Sequence, residues 1–218
     1  MSAATSFPAS EGRAVVDALV AAIDKHAAML SEIDGAIGDG DHGVNMRKGF
    51  LLAREGMPAS VTVAGGLELV GETLMTRIGG AMGPLYGSLF VEMAGACAEV
   101  EAIDAAVFGR MLDAGRETVE DVGGAAVGDK TLLDTLVPAV DAFHASTDQG
   151  DSFGDALKAM ADAAEQGKDS TRDLVAKVGR ASRLGERSRG VLDAGATSCW
   201  LLLDAMATAM RSQLEAGA

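Results

Sequence analysis

The stretch Asp34-Gly-Ala-Ile-Gly-Asp-Gly-Asp-His-Gly-Val-Asn45 puts three carboxylates, Asp34, Asp39 and Asp41, into eight residues and threads them with glycine. Two carboxylates about 4 Å apart repel by roughly 1 kcal/mol in water, and by roughly 4 kcal/mol at an effective dielectric near ~20. Three together call for a cation, unless the stretch is simply a solvated acidic turn. Magnesium suits them: it takes oxygen ligands and is usually held by one or two carboxylates together with substrate phosphates. Three aspartates are enough for two such ions. The start of the next helix, with free N–H groups near Val44 and Asn45, adds an anion-binding surface. His42 either contacts phosphate or caps the loop. His26 and His144 fall within helical stretches and read as packing or surface residues. Arg180, Arg183, Arg187 and Arg189 form the dense basic cluster of an acidic chain, either a phosphate contact or a solvated face.

Competing motifs fail on context. Gly38 to Gly43 matches the dinucleotide pattern G-x-G-x-x-G, but a helix precedes it instead of a strand, and its aspartates would repel a bare pyrophosphate. A calcium loop beginning at Asp39 would need a bidentate glutamate where Phe50 stands. Gly123 to Thr131 (GGAAVGDKT) falls short of a phosphate-binding loop because Asp129 intrudes between Gly128 and Lys130 and no strand leads into it.

The elements around these residues read as helices. Val15, Val16, Leu19, Ile23 and Leu30 recur at helical spacing, which predicts a first helix over 11–33, with Ser10 as its N-cap. Further helices are expected over 44–55, 63–78, 84–100, 104–122 and from 131 to before 146. One or two more are expected within 153–178, and a last over 194–214. No stretch alternates as a strand should. Residues 1–9 are expected to be a disordered tail, and 10–218 a single helical domain. Short connections favour antiparallel neighbours. In such a bundle the connections 34–43, 79–83, 123–130 and the turn around Asp193 fall at one end. The spacing therefore predicts one rim built from four distant pieces of sequence.

The formal net charge of −14 argues against nucleic acid as a partner. Hydrophobic residues make up 48% of the chain and aromatics only 4%, which suits close-packed small-residue helices better than a sandwich. Cys97 and Cys199 have no metal-ligand spacing and read as buried thiols of a reducing compartment. No run of 18 apolar residues occurs and no basic, apolar leader opens the chain, so a soluble cytoplasmic protein without a membrane partner is expected.

Taken in order, several blocks resemble the nucleotide-binding L subunit family of dihydroxyacetone kinases. They are the acidic block 34–46, Gly79-Gly-Ala-Met-Gly-Pro-Leu-Tyr86, Gly128-Asp-Lys-Thr-Leu-Leu-Asp134, Gly179-Arg-Ala-Ser182, Leu184-Gly-Glu-Arg-Ser188 and Asp193-Ala-Gly-Ala196. The resemblance implies an all-α fold, a closed barrel of eight antiparallel helices with ADP or ATP at one rim. It implies that Asp34, Asp39 and Asp41 hold two magnesium ions that bridge the nucleotide phosphates. His42, Gly43, Val44 and Asn45 would line the phosphate end, with Ala81 and Met82 close by. Gly123 and Leu132 would flank the adenine, and Arg180, Asp193, Ala194 and Gly195 would complete the pocket.

The family pattern often has serine at Met82, tyrosine at Arg183, histidine at Val191 and proline at Ala194. The first departure leaves backbone N–H groups to bind phosphate, while Arg183 and Val191 bear on how the rim meets a partner. The implied activity is phosphoryl transfer to dihydroxyacetone or a related ketose held on a separate K subunit. The donor is then free ATP, or a phosphotransferase-system protein that recharges bound ADP. A reading of another class is a non-catalytic nucleotide sensor that binds a transcription regulator.

Overall fold

The computed structural model describes residues 4–217. Among them are eight α-helices: α1 (Gly12–Ile37), α2 (His42–Gly56), α3 (Val63–Arg77), α4 (Met82–Gly95), α5 (Ala105–Gly123), α6 (Leu133–Asp148), α7 (Phe153–Ser170) and α8 (Ala194–Ala216). Each packs on the next, and α8 packs on α1, so the helices close into a ring. The C-terminal ends of α1, α3 and α5 line the same cavity as the N-terminal ends of α2, α4, α6 and α8. Neighbours therefore run antiparallel around the ring, as the sequence predicts. No helix among the described residues is long and apolar enough to cross a membrane.

The ring buries one continuous apolar core drawn from all eight helices. Its large side chains include Phe50 against Phe90, edge to face at 5.9 Å, and the Phe108–Phe143–Phe153 group. With so few aromatics, close packing comes from small residues. At the α3–α4 crossing, a Cβ on Gly71 would stand 2.6 Å from the Gly87 carbonyl oxygen, so the two backbones meet where only glycine fits.

Three expectations need correction. The segment 6–8 belongs to the fold: Ser6–Pro8 forms strand β1, antiparallel to β2 (Ala102–Asp104), with Phe7 opposite Ile103 and both side chains buried. Burying Phe7 supplies the apolar contact that orders these residues. The part of the expected disordered tail at 1–3 lies outside the described residues. The first helix is capped at Glu11, not Ser10, and runs past 33 to Ile37, so Asp34 is helical. The fourth stops at Gly95, short of 100. The seventh lies within the expected 153–178 and ends at Ser170, followed by short 3-10 turns at Thr171–Asp173 and Ala181–Ser188.

At the end of the ring away from the rim, α3, α5 and α7 are capped by side chains. Thr62 accepts from the Gly65 N–H, Asp104 from Val107 and Ser152 from Asp155. At the rim, α2 and α4 start without any side-chain cap. The first-turn N–H groups of α4 are thus left to serve the cavity, while the His42 N–H at the start of α2 is taken by Asp34.

Candidate functional site

The rim encloses an open cavity of about 380 Å³. Its walls come from the four connections expected to meet there: Asp34 to His42, Gly79 to Met82, Gly123 to Leu133, and the segments at Val178–Ala181 and Asp193–Gly195. One end is acidic. Asp34, in the last turn of α1, faces Asp39 and Asp41 from the following loop, and one carboxylate oxygen from each lies within 4.8 Å of the others. Oxygen-only donors at this separation fit magnesium. The guanidinium of Arg180 pairs with Asp39 and partly offsets the repulsion.

The acidic loop is placed by a close approach. A Cβ on Gly43 would collide with the carbonyl oxygen of Ala27, so α2 lies against α1 at a distance only glycine permits. The His42 N–H donates to Asp34 Oδ2 at 3.3 Å, tying the start of α2 to the aspartate of α1. The His42 ring is buried, with Nε2 2.8 Å from Ser198 Oγ on α8. Ser198 Oγ is 2.7 Å from Tyr86 Oη on α4, and the Tyr86 hydroxyl donates to the Gly195 carbonyl at 2.9 Å. Burial lowers the His42 pKa to about 4, despite the attraction of Asp34. The imidazole is therefore neutral at neutral pH, and its place in this chain makes it a fixed part of the wall.

Two helix starts face the acidic end from other sides. Ala81 and Met82 open α4, and Asp193, Ala194 and Gly195 open α8. Asp193 Oδ1 accepts from the Ala196 N–H at 2.7 Å, leaving the N–H groups before it for a ligand. Burial raises the Asp193 carboxyl to about 6, against the stabilising pull of that hydrogen bond and of Lys130. The other end of the cavity is apolar, with Leu85, Val119, Gly123, Ala125, Leu132 and Leu133. An anionic group thus fits at one end and a flat apolar group at the other.

Of the residues expected at the site, Asp34, Asp39, Asp41, His42, Ala81, Met82, Gly123, Leu132, Arg180, Asp193, Ala194 and Gly195 line the cavity. Gly43, Val44 and Asn45 do not. Gly43 is spent on the helix contact, and Val44 projects to solvent at 63% exposure. Sequence reasoning passed over Tyr86, Ser198 and Lys130. Tyr86 and Ser198 are polar residues buried within largely apolar helical stretches.

Lys130 was set aside with the failed phosphate-loop motif, and its geometry upholds that rejection. Its Nζ donates to the carbonyls of Thr171, Leu174 and Val191, where a phosphate-loop lysine would reach phosphate. Asp134, three residues past that motif, accepts from the Gly128 and Thr131 N–H groups and shapes the turn.

Comparison with known proteins agrees with this architecture. Residues 36–208 match the family model described as the DAK2 domain. The chain is 39% identical over 188 residues to the PEP-dependent dihydroxyacetone kinase 1 ADP-binding subunit DhaL of Listeria innocua, covering 84% of this chain and 88% of that protein. It is also 39% identical over 184 residues to the corresponding DhaL subunit of Escherichia coli, with the same two coverages. The crystal structure of the dihydroxyacetone kinase of C. freundii superposes with a TM-score of 0.67 at 25% identity, over 95% of this chain but only 36% of that longer one. A ring of helices with its cavity at one rim, matched over most of its length, makes this chain a member of the DAK2 domain family.

Proposed function

We propose that this chain is the nucleotide-binding subunit of a kinase for dihydroxyacetone or a related ketose, presenting Mg-ADP or Mg-ATP to a sugar held on a separate K subunit. The observation that carries the reading is the meeting of three carboxylates with the starts of α4 and α8 in one cavity that also has an apolar wall. Asp34, Asp39 and Asp41 would hold magnesium, with oxygen atoms enough for two ions. Bound magnesium supplies charge neutralisation on phosphate oxygens. The starts of α4 and α8 orient the phosphates, and the apolar wall takes the base and excludes water. Arg180 brings positive charge from the opposite side. Phosphoryl transfer asks little covalent chemistry of the protein, so positioning and charge suffice.

The PEP-dependent relatives support a phosphotransferase-system protein as the donor that recharges bound ADP. Residues 10–218 then act as one nucleotide-binding unit. The free buried thiols Cys97 and Cys199 support a cytoplasmic setting.

The test is reconstitution. The purified chain is mixed with a K subunit and dihydroxyacetone, with ATP or a phosphotransferase donor supplied in turn, and sugar phosphate is measured. Transfer from either donor is expected only when both subunits are present. Transfer from neither, together with tight binding to a transcription regulator, would replace the kinase reading with that of a nucleotide sensor.

A further inference from the structure

Between α7 and α8 the chain leaves the ring near Thr171, carries Arg180 across the rim to Asp39, and returns at Val191. Hydrogen bonds close this strap on itself: the Gly190 N–H donates to the Arg172 carbonyl at 2.7 Å, and the Ala176 N–H to Ser188 Oγ at 2.9 Å. One side chain ties both feet of the strap to the ring. Lys130, 2% exposed, donates from Nζ to Thr171 O at 2.6 Å and Leu174 O at 3.2 Å on the outgoing foot, and to Val191 O at 2.5 Å on the returning foot. An ammonium has three N–H donors, and all are spent here.

Neighbouring features serve the same arrangement. Lys130 is the single non-glycine residue at positive φ among the described residues, at 64°. That left-handed backbone is disfavoured for a side chain with a Cβ and persists where its surroundings fix it. The buried carboxylate of Asp193 and, more weakly, Asp134 attract the ammonium, while Arg172 and Arg189 on the strap oppose it. Asp129, one residue earlier, adds an outer tie: its carbonyl accepts from the Lys177 N–H at 3.1 Å and its carboxylate pairs with the exposed Lys177 ammonium.

We propose that Lys130 is a positioning residue that clamps both feet of the 172–190 strap, so that Arg180 stays over the acidic end of the cavity and bound Mg-nucleotide is retained. The retention part rests on the nucleotide-binding reading above; the clamp does not. Lys130 touches neither phosphate nor metal in this assignment and acts through Arg180.

The test compares wild type with Lys130→Met, which keeps the stem and removes the three donors. In native-state trypsin digestion without nucleotide or metal, cleavage after Arg180, Arg183, Arg187 and Arg189 should accelerate about tenfold, while cleavage after Arg54 and Arg110 stays at the wild-type rate. Unchanged strap cleavage, or equal acceleration at every site, overturns the clamp. If Lys130→Met does not fold, Lys130→Arg decides. Its planar fork does not place donors on three converging carbonyls, so raised strap cleavage supports the clamp and a wild-type rate overturns it.

Mg-ADP dissociation is then followed in both Arg180 backgrounds. Lys130→Met should speed release about tenfold, equivalent to about 1.4 kcal/mol, in the wild-type background and add nothing to Arg180→Ala. An equal increment in both backgrounds overturns action through Arg180. A wild-type protein that binds no Mg-ADP overturns retention along with the nucleotide reading, and the digestion result still judges the clamp.

Discussion

The Nε2 atom of His42, at the start of α2, lies 2.8 Å from Oγ of Ser198 on α8, joining two helices that are far apart in sequence across the wall of the cavity. Ser198→Ala leaves the Tyr86 hydroxyl bonded to Gly195 but takes the partner from His42 Nε2. A buried polar group left unsatisfied costs about 1–3 kcal/mol. Urea unfolding should show a lower midpoint with an unchanged slope. A midpoint equal to that of wild type would mean that this contact contributes nothing to stability.

The two perturbed groups beside the cavity oppose each other in pH. His42 titrates at about 4 when folded against 6.5 unfolded, so the unfolded chain binds more protons between those values and this contribution to stability is lost as pH falls through that window. Asp193 titrates at about 6 folded against 3.8 unfolded, so its contribution is lost as pH rises through nearly the same range. Each shift corresponds to about 3 kcal/mol and the signs are opposite. Metal-free wild type should therefore vary little from these two groups between about pH 4 and 6.5. Asp193→Asn keeps a good N-cap and removes only the second titration. Its stability, from urea titrations across that range, should rise with pH more steeply than that of wild type. Parallel profiles would count against the buried carboxyl.

Asp39→Asn removes one carboxylate of the acidic cluster and the partner of Arg180. Both side chains of that pair are substantially exposed, so the apo protein should unfold within about 1 kcal/mol of wild type. Mg-ADP at about 100 times its dissociation constant should stabilise wild type by about 2.7 kcal/mol. The variant, scanned at the same ligand concentration, should lose most of that gain. A full ligand-induced shift in Asp39→Asn would remove this residue from the magnesium set.

Gly43→Ala tests the contact that sets the acidic loop. Its methyl would meet the Ala27 carbonyl, which belongs to helical backbone and has little room to yield. Overpacking of this kind costs about 1–3 kcal/mol. Thermal unfolding of the variant should show that loss, whereas Gly56→Ala, where nothing lies within 4 Å, should unfold like wild type or slightly above it. Equal midpoints for the two variants would place the α1–α2 approach elsewhere.

The helices were legible because their apolar residues recur at helical spacing, and the rim because glycine-rich connections alternate with plain ones. Asp34, Asp39 and Asp41 stood out because like charges rarely cluster without a purpose. The strand at Ser6–Pro8 was not legible: three residues are too few to show alternation, and their partners lie far away at Ala102–Asp104. The helix crossing at Gly43 was not legible, since sequence does not distinguish a glycine that admits a phosphate from one that admits a backbone. Lys130 was hidden for another reason. Its acceptors at 171, 174 and 191 are carbonyls, which every residue type carries, so no side-chain pattern announces them.

The contact of α8 with α1 has a consequence for how the protein reaches its native state. Bringing the first helix to the last closes a loop that spans nearly the whole ring, and that entropy is spent before the contact returns anything. Asp34 and Asp193 stand at the two sides of that closure, so the cavity wall is complete only once α8 packs on α1. A chain cut short before α8 would keep the acidic cluster but lack the Asp193–Gly195 wall that completes the cavity.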